Sequence, residues 1–196
     1  MQLILASESP RRRELLELIG LEFSCVASKI NETGILSQMP EVIVEELALK
    51  KALAVREHNI NACIIGADTI VYIGDEIIGK PIDDNDAINI LDKLQGKTHT
   101  VYTGIAVLSP KLQSVSHDAT RVTFAPMNKT EILWYASTGE PRDKAGAYGI
   151  QGPGGIFIER IEGNYFTVIG LPLPLLYNML KKAGAINFEC CKEHKT

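Results

Sequence analysis

Three arginines follow a serine-rich turn near the start of the chain, in Ser7-Glu8-Ser9-Pro10-Arg11-Arg12-Arg13. Ser9 and Pro10 are typical of the first residues of a helix, whose exposed N–H groups already attract negative charge. Hydroxyl, backbone N–H and guanidinium groups would then converge on one point, an arrangement that suits a polyphosphate. A solvated basic face on an ordinary capped helix explains the segment equally well.

Two carboxylates have the chemistry to hold a divalent ion. Asp68 stands in Gly66-Ala67-Asp68-Thr69 after an apolar run, where small residues favour the close approach of a ligand. Its carboxylate could bind the ion or accept a proton from water, and Glu32, in a polar loop, could supply a second oxygen ligand. Taken singly, a strand aspartate bonded to backbone N–H groups and a surface glutamate are the better explanations.

Two lysines are candidates for contact with phosphate. Lys51 falls on the mostly apolar stripe of a helix that Pro40 begins, so its ammonium group either extends outward to water or points into a cleft. Lys80 stands between Gly79 and Pro81, which hold the backbone in a rigid turn. A solvated turn lysine would have the same sequence.

Five glycines fall between Gly146 and Gly155, in a segment that begins at Asp143. The backbone there must pass very close to another group. The segment is neither a P-loop nor a dinucleotide-binding fingerprint, because the spacing of both motifs is missing. Tyr148 and Gln151 would suit stacking on, and hydrogen bonding to, a flat base, whereas a plain connecting loop is the alternative.

The elements that must position these residues alternate between strands and helices. We expect strands at 3–6, 63–73 (interrupted at 66–68), 76–78, 98–108, 114–124 and a hairpin of 156–161 with 165–169, and helices at 10–19, 40–58, 83–95, 128–137 and 172–183. The interleaving favours an α/β fold, a mixed sheet covered by helices, over an all-β barrel.

Composition narrows the functional class. The chain has 196 residues, 45% of them hydrophobic, and a net charge of −4, so it can build a core and lacks the basic surface that binds a long nucleic acid. No apolar run is long enough to cross a membrane, and the N-terminus does not have the pattern of a signal peptide. The four cysteines lack zinc-site spacing, and reduced thiols in the cytoplasm are expected.

The four segments quoted above, in this order and spacing, resemble the Maf family of nucleoside triphosphate pyrophosphatases. The resemblance covers residues 2 to about 185. It implies one catalytic domain, residues 1–185, with two lobes and a cleft between them, a fold like that of the inosine triphosphate pyrophosphatases, and a homodimer. Residues 186–196 form a polar tail to which no function is assigned.

The resemblance also implies roles for individual residues. Asp68 matches the family's proton acceptor, and Ser7 matches its phosphate-binding serine. The other matches are the positions of the dTTP/UTP-preferring subgroup, Arg11, Thr69 and Gln151, and further polar residues of the cleft, Glu32, Lys51 and Lys80. Gln151 would then contact the pyrimidine. Asn31 stands where members often carry a second acid.

The expected reaction is hydrolysis of dTTP or UTP between the α and β phosphorus atoms. Glu32 and Asp68 would hold a divalent metal cation, Mg²⁺ or Mn²⁺, and Asp68 would help deprotonate water. Arg11, Arg12, Lys51 and Lys80 would stabilise phosphate charge. The alternatives are a pyrophosphatase of 7-methyl-GTP, as in another subgroup, and a nucleotide-binding regulator of septum formation that does not hydrolyse its ligand.

Overall fold

Strands and helices interleave along the chain, as the sequence predicts. The computed structural model describes residues 1–30 and 39–186. The strands are β1 (Leu3–Leu5), β2 (Ser24–Cys25), β3 (Cys63–Ile73), β4 (Glu76–Ile78), β5 (Thr98–Leu108), β6 (Gln113–Phe124) and β7 (Ile158–Glu162). The α-helices are α1 (Pro10–Leu18), α2 (Pro40–Arg56), α3 (Asp84–Leu94), α4 (Lys129–Ser137), α5 (Tyr165–Ile169) and α6 (Leu173–Lys182), and short 3₁₀ segments cover Glu140–Asp143, Ala145–Ala147 and Pro153–Phe157.

All seven strands of the described residues belong to one mixed sheet, in the order β2-β1-β3-β5-β6-β7, with β4 beside β3. β1 is parallel to β2 and β3, and the other pairs are antiparallel. One edge of β3 pairs with β5 along most of its length. The opposite edge pairs with β1 at residues 63–65 and with β4 at residues 71–73. Residues 66–70 therefore have no strand partner on that edge in the described parts of the chain.

Apolar side chains on one face of β3 and β5 fall into two clusters at opposite ends of the strands. One cluster contains Cys63, Ile65, Ala67, Ile105 and Val107 together with residues of α1 and α6, and the other contains Val71 and Val101 together with residues of α3 and α4. Thr69 and Thr103 occupy the positions between the clusters, and their Oγ1 atoms lie 3.0 Å apart. Because alternate residues of a strand face the same side of the sheet, these two threonines form a polar position between the two apolar clusters.

Helix α2 covers the other face of the sheet at very close range. A Cβ atom at Gly66 would overlap the carbonyl oxygen of Ala48, and one at Gly104 would overlap that of Val44. The sequence predicted that a ligand approaches the strand at Gly66. The structure corrects this, because the group that approaches is the backbone of α2.

Most predicted helix and turn boundaries are confirmed by their local contacts. Asp83 Oδ1 accepts a hydrogen bond from the Asp86 N–H group at 2.8 Å and begins α3. Asn128 and Glu131 form a capping box at the start of α4. The two-residue turn between β3 and β4 has positive φ at both positions, as a type I′ hairpin requires.

Two predictions about strands are wrong. β3 is continuous through residues 66–68, where its register with β5 has no break. Residues 165–169 form the short helix α5 instead of a hairpin strand, because the Asn164 side chain accepts a hydrogen bond from the Phe166 N–H group and Gly170 ends the helix at φ 113°. β7 pairs with β6 instead.

Some predictions fall outside the described residues. These are the assignment of Glu32 to a metal site, the comparison at Asn31, and the polar tail, of which only Ile186 is described.

Candidate active site

A cleft opens where the edge of β3 lacks a strand partner. Two adjoining cavities of about 390 and 330 Å³ form it, a size typical of small-molecule sites. Both cavities are bordered by residues of α1, α2, the turn after β4 and the glycine-rich segment, namely Ser9, Arg11, Arg12, Lys51, Lys80 and Asp143. Asp68 and Thr69 border the second cavity. The arginine-rich segment, the segment 66–69, the turn at Lys80 and the glycine-rich segment therefore meet at one place.

An ion pair between Lys51 and Asp68 lies within the cleft. The Lys51 Nζ atom is 2.5 Å from Asp68 Oδ1, and the two side chains are only 12% and 10% exposed. Lys51 shares its face of α2 with the buried residues Leu47 and Ala48. That face packs on the sheet, so the ammonium group points into the cleft and not outward to water.

The turn before α1 is held by Ser7. The buried Ser7 Oγ atom accepts a hydrogen bond from the Ser9 N–H group at 3.1 Å and from Arg12 Nη1 at 3.3 Å. Ser9 is the N-cap of α1 and Pro10 its first residue, but the Ser9 side chain makes no capping hydrogen bond. Ser7 and Ser9 both border the cleft, which places the first turn of α1 beside it.

Arg12 joins three parts of the molecule. Its Nε atom donates to the carbonyl oxygen of Gly170 at 2.9 Å, and its Nη2 atom donates to Thr69 Oγ1 at 3.1 Å. Together with the bond to Ser7, these contacts connect α1, the middle of β3 and the end of α5. Arg12 therefore holds these elements together and also borders the cleft.

Arg11 and Arg13 point to different surroundings. Arg11 Nη1 donates to Asp143 Oδ2 at 2.8 Å across the cleft. Arg13 makes a pair with Glu17 one turn along the helix, and the hydrogen bond that its Nε atom donates to that carboxylate raises the pKa of Arg13. Two of the three arginines thus face the cleft, and the third lies on the outer surface of α1.

Asp143 is a cleft residue to which the sequence analysis gave no role. Its carboxylate accepts hydrogen bonds from Arg11 at 2.8 Å and from Lys144 at 2.7 Å. Burial acts to raise the pKa of Asp143, but the hydrogen bonds from Lys144 and Arg11 outweigh it, so the pKa lies below its usual value. Its position at the start of the glycine-rich segment was the available signal.

Tyr148 is a core residue. Its side chain is 5% exposed, its ring packs edge-on against Phe124 at 4.8 Å, and its hydroxyl lies 2.8 Å from His99 Nε2. Tyr148 also borders the inner cavity, although it is almost completely buried. Stacking of a base on Tyr148 stays a prediction.

The remaining predicted residues take different places. Lys80 is exposed and borders both cavities, and the Gly79 carbonyl before it accepts a hydrogen bond from Gly146 at 3.0 Å. Thr69 borders the inner cavity beside Asp68. Gln151 is exposed and borders neither cavity, although its neighbour Ile150 does.

The described residues of the cleft offer few side-chain ligands for a metal ion. Within residues 1–30 and 39–186, no group of three or more His, Cys, Asp or Glu side chains could surround an ion. Mg²⁺ commonly binds proteins through one or two carboxylates and completes its shell with water and substrate phosphates. Asp68, which borders the cleft, fits that pattern as a single carboxylate ligand.

Among the helices of the described segments, none combines the length and the apolar character that crossing a membrane requires.

The chain is similar to known proteins over nearly its whole length. A protein of Aquifex aeolicus (strain VF5) named dTTP/UTP pyrophosphatase is 48% identical over 186 residues, which are 95% of this chain and 97% of the relative. One of Geobacillus sp. (strain WCH70), with the same name, is 49% identical over 183 residues, 93% and 98% of the two chains.

Solved structures show the same fold. The Ham1 protein of Staphylococcus aureus superposes with a TM-score of 0.55 at 13% identity, over 93% of this chain and 99% of that one. At that identity the likeness concerns the fold only. The family model described as Maf-like protein matches residues 2–183. The extent of that match and the identity to the two relatives lead to one conclusion: the chain belongs to the Maf-like protein family.

Proposed function

We propose that this protein is a nucleoside triphosphate pyrophosphatase that hydrolyses dTTP and UTP to the monophosphate and pyrophosphate. Relatives at 48% and 49% identity carry the name of that activity. The observation that carries the proposal is the cleft itself, in which the carboxylates of Asp68 and Asp143 lie among a larger number of cations, Arg11, Arg12, Lys51 and Lys80. A neutral or cationic substrate would not need this concentration of positive charge.

The phosphate chain binds between α1 and the turn that carries Lys80. The N–H groups of the first turn of α1 attract anions, and the Arg11 and Arg12 guanidinium groups add paired donors. Lys80 is exposed at the opposite border of the cleft, where its flexible side chain can reach an anion. The negative charge of a triphosphate thereby offsets the repulsion among these positively charged side chains.

Asp68 is assigned the role of proton acceptor. In the proposed reaction water attacks the α phosphorus atom, and the proton of the water passes to Asp68. The bond between the α phosphorus and the oxygen that bridges it to the β phosphorus breaks, which releases pyrophosphate. Lys51, 2.5 Å from the same carboxylate, holds it in place and faces the developing charge on the phosphates. No covalent intermediate is required.

We also propose that the reaction needs Mg²⁺ or Mn²⁺. Asp68 would hold the ion with oxygens of the triphosphate, and Glu32, which lies outside the described residues, would be a second ligand. The ion would neutralise charge on the phosphates and so favour attack by water.

The base preference is assigned to the residues that match the family pattern, Arg11, Thr69 and Gln151. Thr69 and Arg11 border the cleft, and Gln151 follows Ile150, which does so. A side-chain amide both donates and accepts hydrogen bonds, which matches the edge of a uracil or thymine base.

A nucleotide panel with pyrophosphate detection tests the proposal. Purified protein is incubated with UTP, dTTP, CTP, GTP and 7-methyl-GTP, with Mg²⁺, with Mn²⁺ or with a chelator. We expect release of pyrophosphate from UTP and dTTP above the others, and none with the chelator. Preference for 7-methyl-GTP would contradict the pyrimidine assignment. Binding of UTP without release of pyrophosphate would favour a nucleotide-sensing regulator.

We further propose that the protein forms homodimers and works in the cytoplasm. The family resemblance supports the first statement, and the free thiols of Cys25 and Cys63 support the second. Light scattering on the purified protein and fractionation of cells that produce it would test them, and a monomer or a membrane-associated pool would contradict them.

A further inference from the structure

The glycine-rich loop is wrapped around one carboxylate and one hydroxyl. Glu140 Oε2 accepts a hydrogen bond from the Tyr135 hydroxyl at 2.8 Å and from the Gly154 N–H group at 3.0 Å. The same Tyr135 oxygen accepts a hydrogen bond from the Gly149 N–H group at 2.9 Å. The two ends of the segment 149–154 are therefore attached to one pair of side chains.

The glycines of this loop are explained by the same pair. A Cβ atom at Gly152 would overlap the Glu140 carboxylate, and one at Gly154 would overlap the Tyr135 hydroxyl. Gly152 has a φ of −121°, a value that any residue adopts, so closeness to Glu140 alone requires glycine there. The close approach that the sequence predicted is thus made to Glu140 and Tyr135.

Both side chains are themselves fixed. Tyr135 is fully buried on α4, and burial raises its pKa, so the hydroxyl remains a donor. The backbone of Glu140 is held by Lys144 Nζ, which donates to its carbonyl oxygen at 2.8 Å, and by Thr138 Oγ1, which accepts from its N–H group at 3.2 Å. The pair is a rigid support and not a mobile contact.

The supported loop leads from the pair to the cleft. Gly149 and Ile150 border the inner cavity, whereas Glu140 and Tyr135 border neither cavity. Gln151 stands between Ile150 and Gly152, that is, between a cleft residue and the glycine that packs on Glu140. The position of Gln151 relative to the cleft therefore depends on the Glu140 carboxylate.

We propose that Glu140 and Tyr135 are positioning residues that hold the 149–154 loop and thereby set the preference of the site for pyrimidine nucleotides. The inference rests on the proposed function, because it concerns how the base end of that site is kept in place. Neither residue touches the substrate.

The first test compares kinetic constants of Glu140→Ala and Glu140→Gln. For Glu140→Ala we expect the KM for UTP to rise about ten-fold, the kcat to change less than about three-fold, and the preference for UTP over CTP and GTP to fall towards one. Glu140→Gln restores most of the preference, because the amide oxygen can still accept both hydrogen bonds. Glu131→Ala, which removes the capping box of the same helix α4, is the matched control and keeps the preference.

A second pair of variants tests whether the glycine and the carboxylate act on each other. Gly152→Ala in the wild-type protein pushes the carboxylate away, and we expect it to lower the preference for UTP about as much as Glu140→Ala. In the Glu140→Ala protein there is no carboxylate to displace, so the same glycine substitution adds little. Fully multiplicative effects of the two changes would overturn the inference.

Tyr135→Phe covers the case in which Glu140→Ala does not fold. It keeps the ring and removes both hydrogen bonds of the hydroxyl, and the same loss of preference is expected. A folded Glu140→Ala or Tyr135→Phe protein with wild-type preference would overturn the inference. If Gln151→Ala alone changes the preference, the proposed function stands while the inference fails. If wild-type protein does not discriminate among bases, the proposed base contact fails first.

Discussion

At the scale of single residues, the chemistry of the cleft is concentrated at Asp68. Its carboxylate is paired with Lys51 at 2.5 Å and borders the cavity next to Thr69. Thr69 in turn accepts a hydrogen bond from Arg12, so the proposed proton acceptor and a proposed phosphate-binding cation are joined through adjacent residues of one strand. A substitution that keeps the shape of the Asp68 side chain but removes its negative charge tests the role of the carboxylate with little change to the surrounding packing.

Asp68→Asn is such a substitution. We expect kcat to fall on the order of a hundred- to ten-thousand-fold, as loss of a general base typically does, while nucleotide affinity stays within about ten-fold. Pyrophosphate release and calorimetric titration with a non-hydrolysable UTP analogue give the two quantities. Asp92→Asn, an exposed aspartate on α3, is the matched control and retains full activity. Activity of Asp68→Asn near that of the wild type would remove the assignment.

His99 provides a residue-scale prediction about pH. It is 2% exposed, and burial lowers its pKa to about 4 from an ordinary 6.5. Because the unfolded chain binds the proton more readily, the stability from the neutral ring is complete above pH 6.5 and is lost as the pH falls towards 4. The shift corresponds to about 3 kcal/mol at most.

Urea unfolding at several pH values measures this effect. The free energy of unfolding of the wild type should fall from pH 6.5 to 4.5 more steeply than that of His99→Phe, which keeps a ring beside Phe124. The carboxylates and His117 are common to both proteins, so the difference in slope reports His99 alone. Equal slopes would show that His99 binds a proton equally well in the folded and unfolded states and would contradict the lowered pKa.

At the scale of elements, α2 and the sheet approach more closely than ordinary side chains allow. The overlap that a Cβ atom would make at Gly66 and at Gly104 is with backbone oxygens of α2, which cannot turn aside. Because Lys51 is on this helix, the spacing between helix and sheet also decides how far its ammonium group lies from Asp68. We therefore expect packing at these two glycines to affect the proposed catalysis.

Gly104→Ala tests that coupling. We expect a loss of about 1–3 kcal/mol in the free energy of unfolding from overpacking, and a lower kcat because Lys51 moves with α2. Gly79→Ala is the matched control for stability, since nothing lies within 4 Å of its Cβ position, and a change within about 0.5 kcal/mol is expected. Chemical denaturation of both proteins measures the difference. A Gly104→Ala protein as stable as Gly79→Ala would contradict the argument.

The same elements show how far the sequence could predict the structure. Pro10, Pro40 and Asn128 are local signals, and the helices that they begin were predicted from them. The short helix α5 was missed because Tyr165–Ile169 consists of aromatic and β-branched residues, a composition that also suits a strand. The role of Glu140 could not be predicted, because a lone glutamate shows nothing of the glycines that pack on it from nine to fourteen residues later.

At the scale of the whole molecule, the cleft lies between two hydrophobic clusters that share the strands β3 and β5. Arg12 spans this region through hydrogen bonds to Thr69 and Gly170, and Arg11 spans it through Asp143. Among the described residues these side-chain contacts across the cleft are hydrogen bonds, whereas each cluster is held together by apolar packing. A bound triphosphate adds further contacts at this place.

Ligand binding should therefore stabilise the folded protein measurably. A ligand at one hundred times its dissociation constant adds about 2.7 kcal/mol when it binds only the folded state. Thermal unfolding with and without a non-hydrolysable UTP analogue and Mg²⁺ measures the shift. In Lys80→Ala the shift at the same ligand concentration should be smaller, because losing a charged hydrogen bond costs about 1.5–3 kcal/mol of binding.

Substitution of Lys80 should leave the stability of the ligand-free protein unchanged. Lys80 is exposed and makes no ion pair or hydrogen bond with the described residues, so the ligand-free stability of Lys80→Ala should equal that of the wild type. Lys97→Ala removes a charge of the same sign at an exposed position that borders neither cavity, and its shift should match the wild type. Equal shifts in all three proteins would place the phosphate chain away from the turn that carries Lys80.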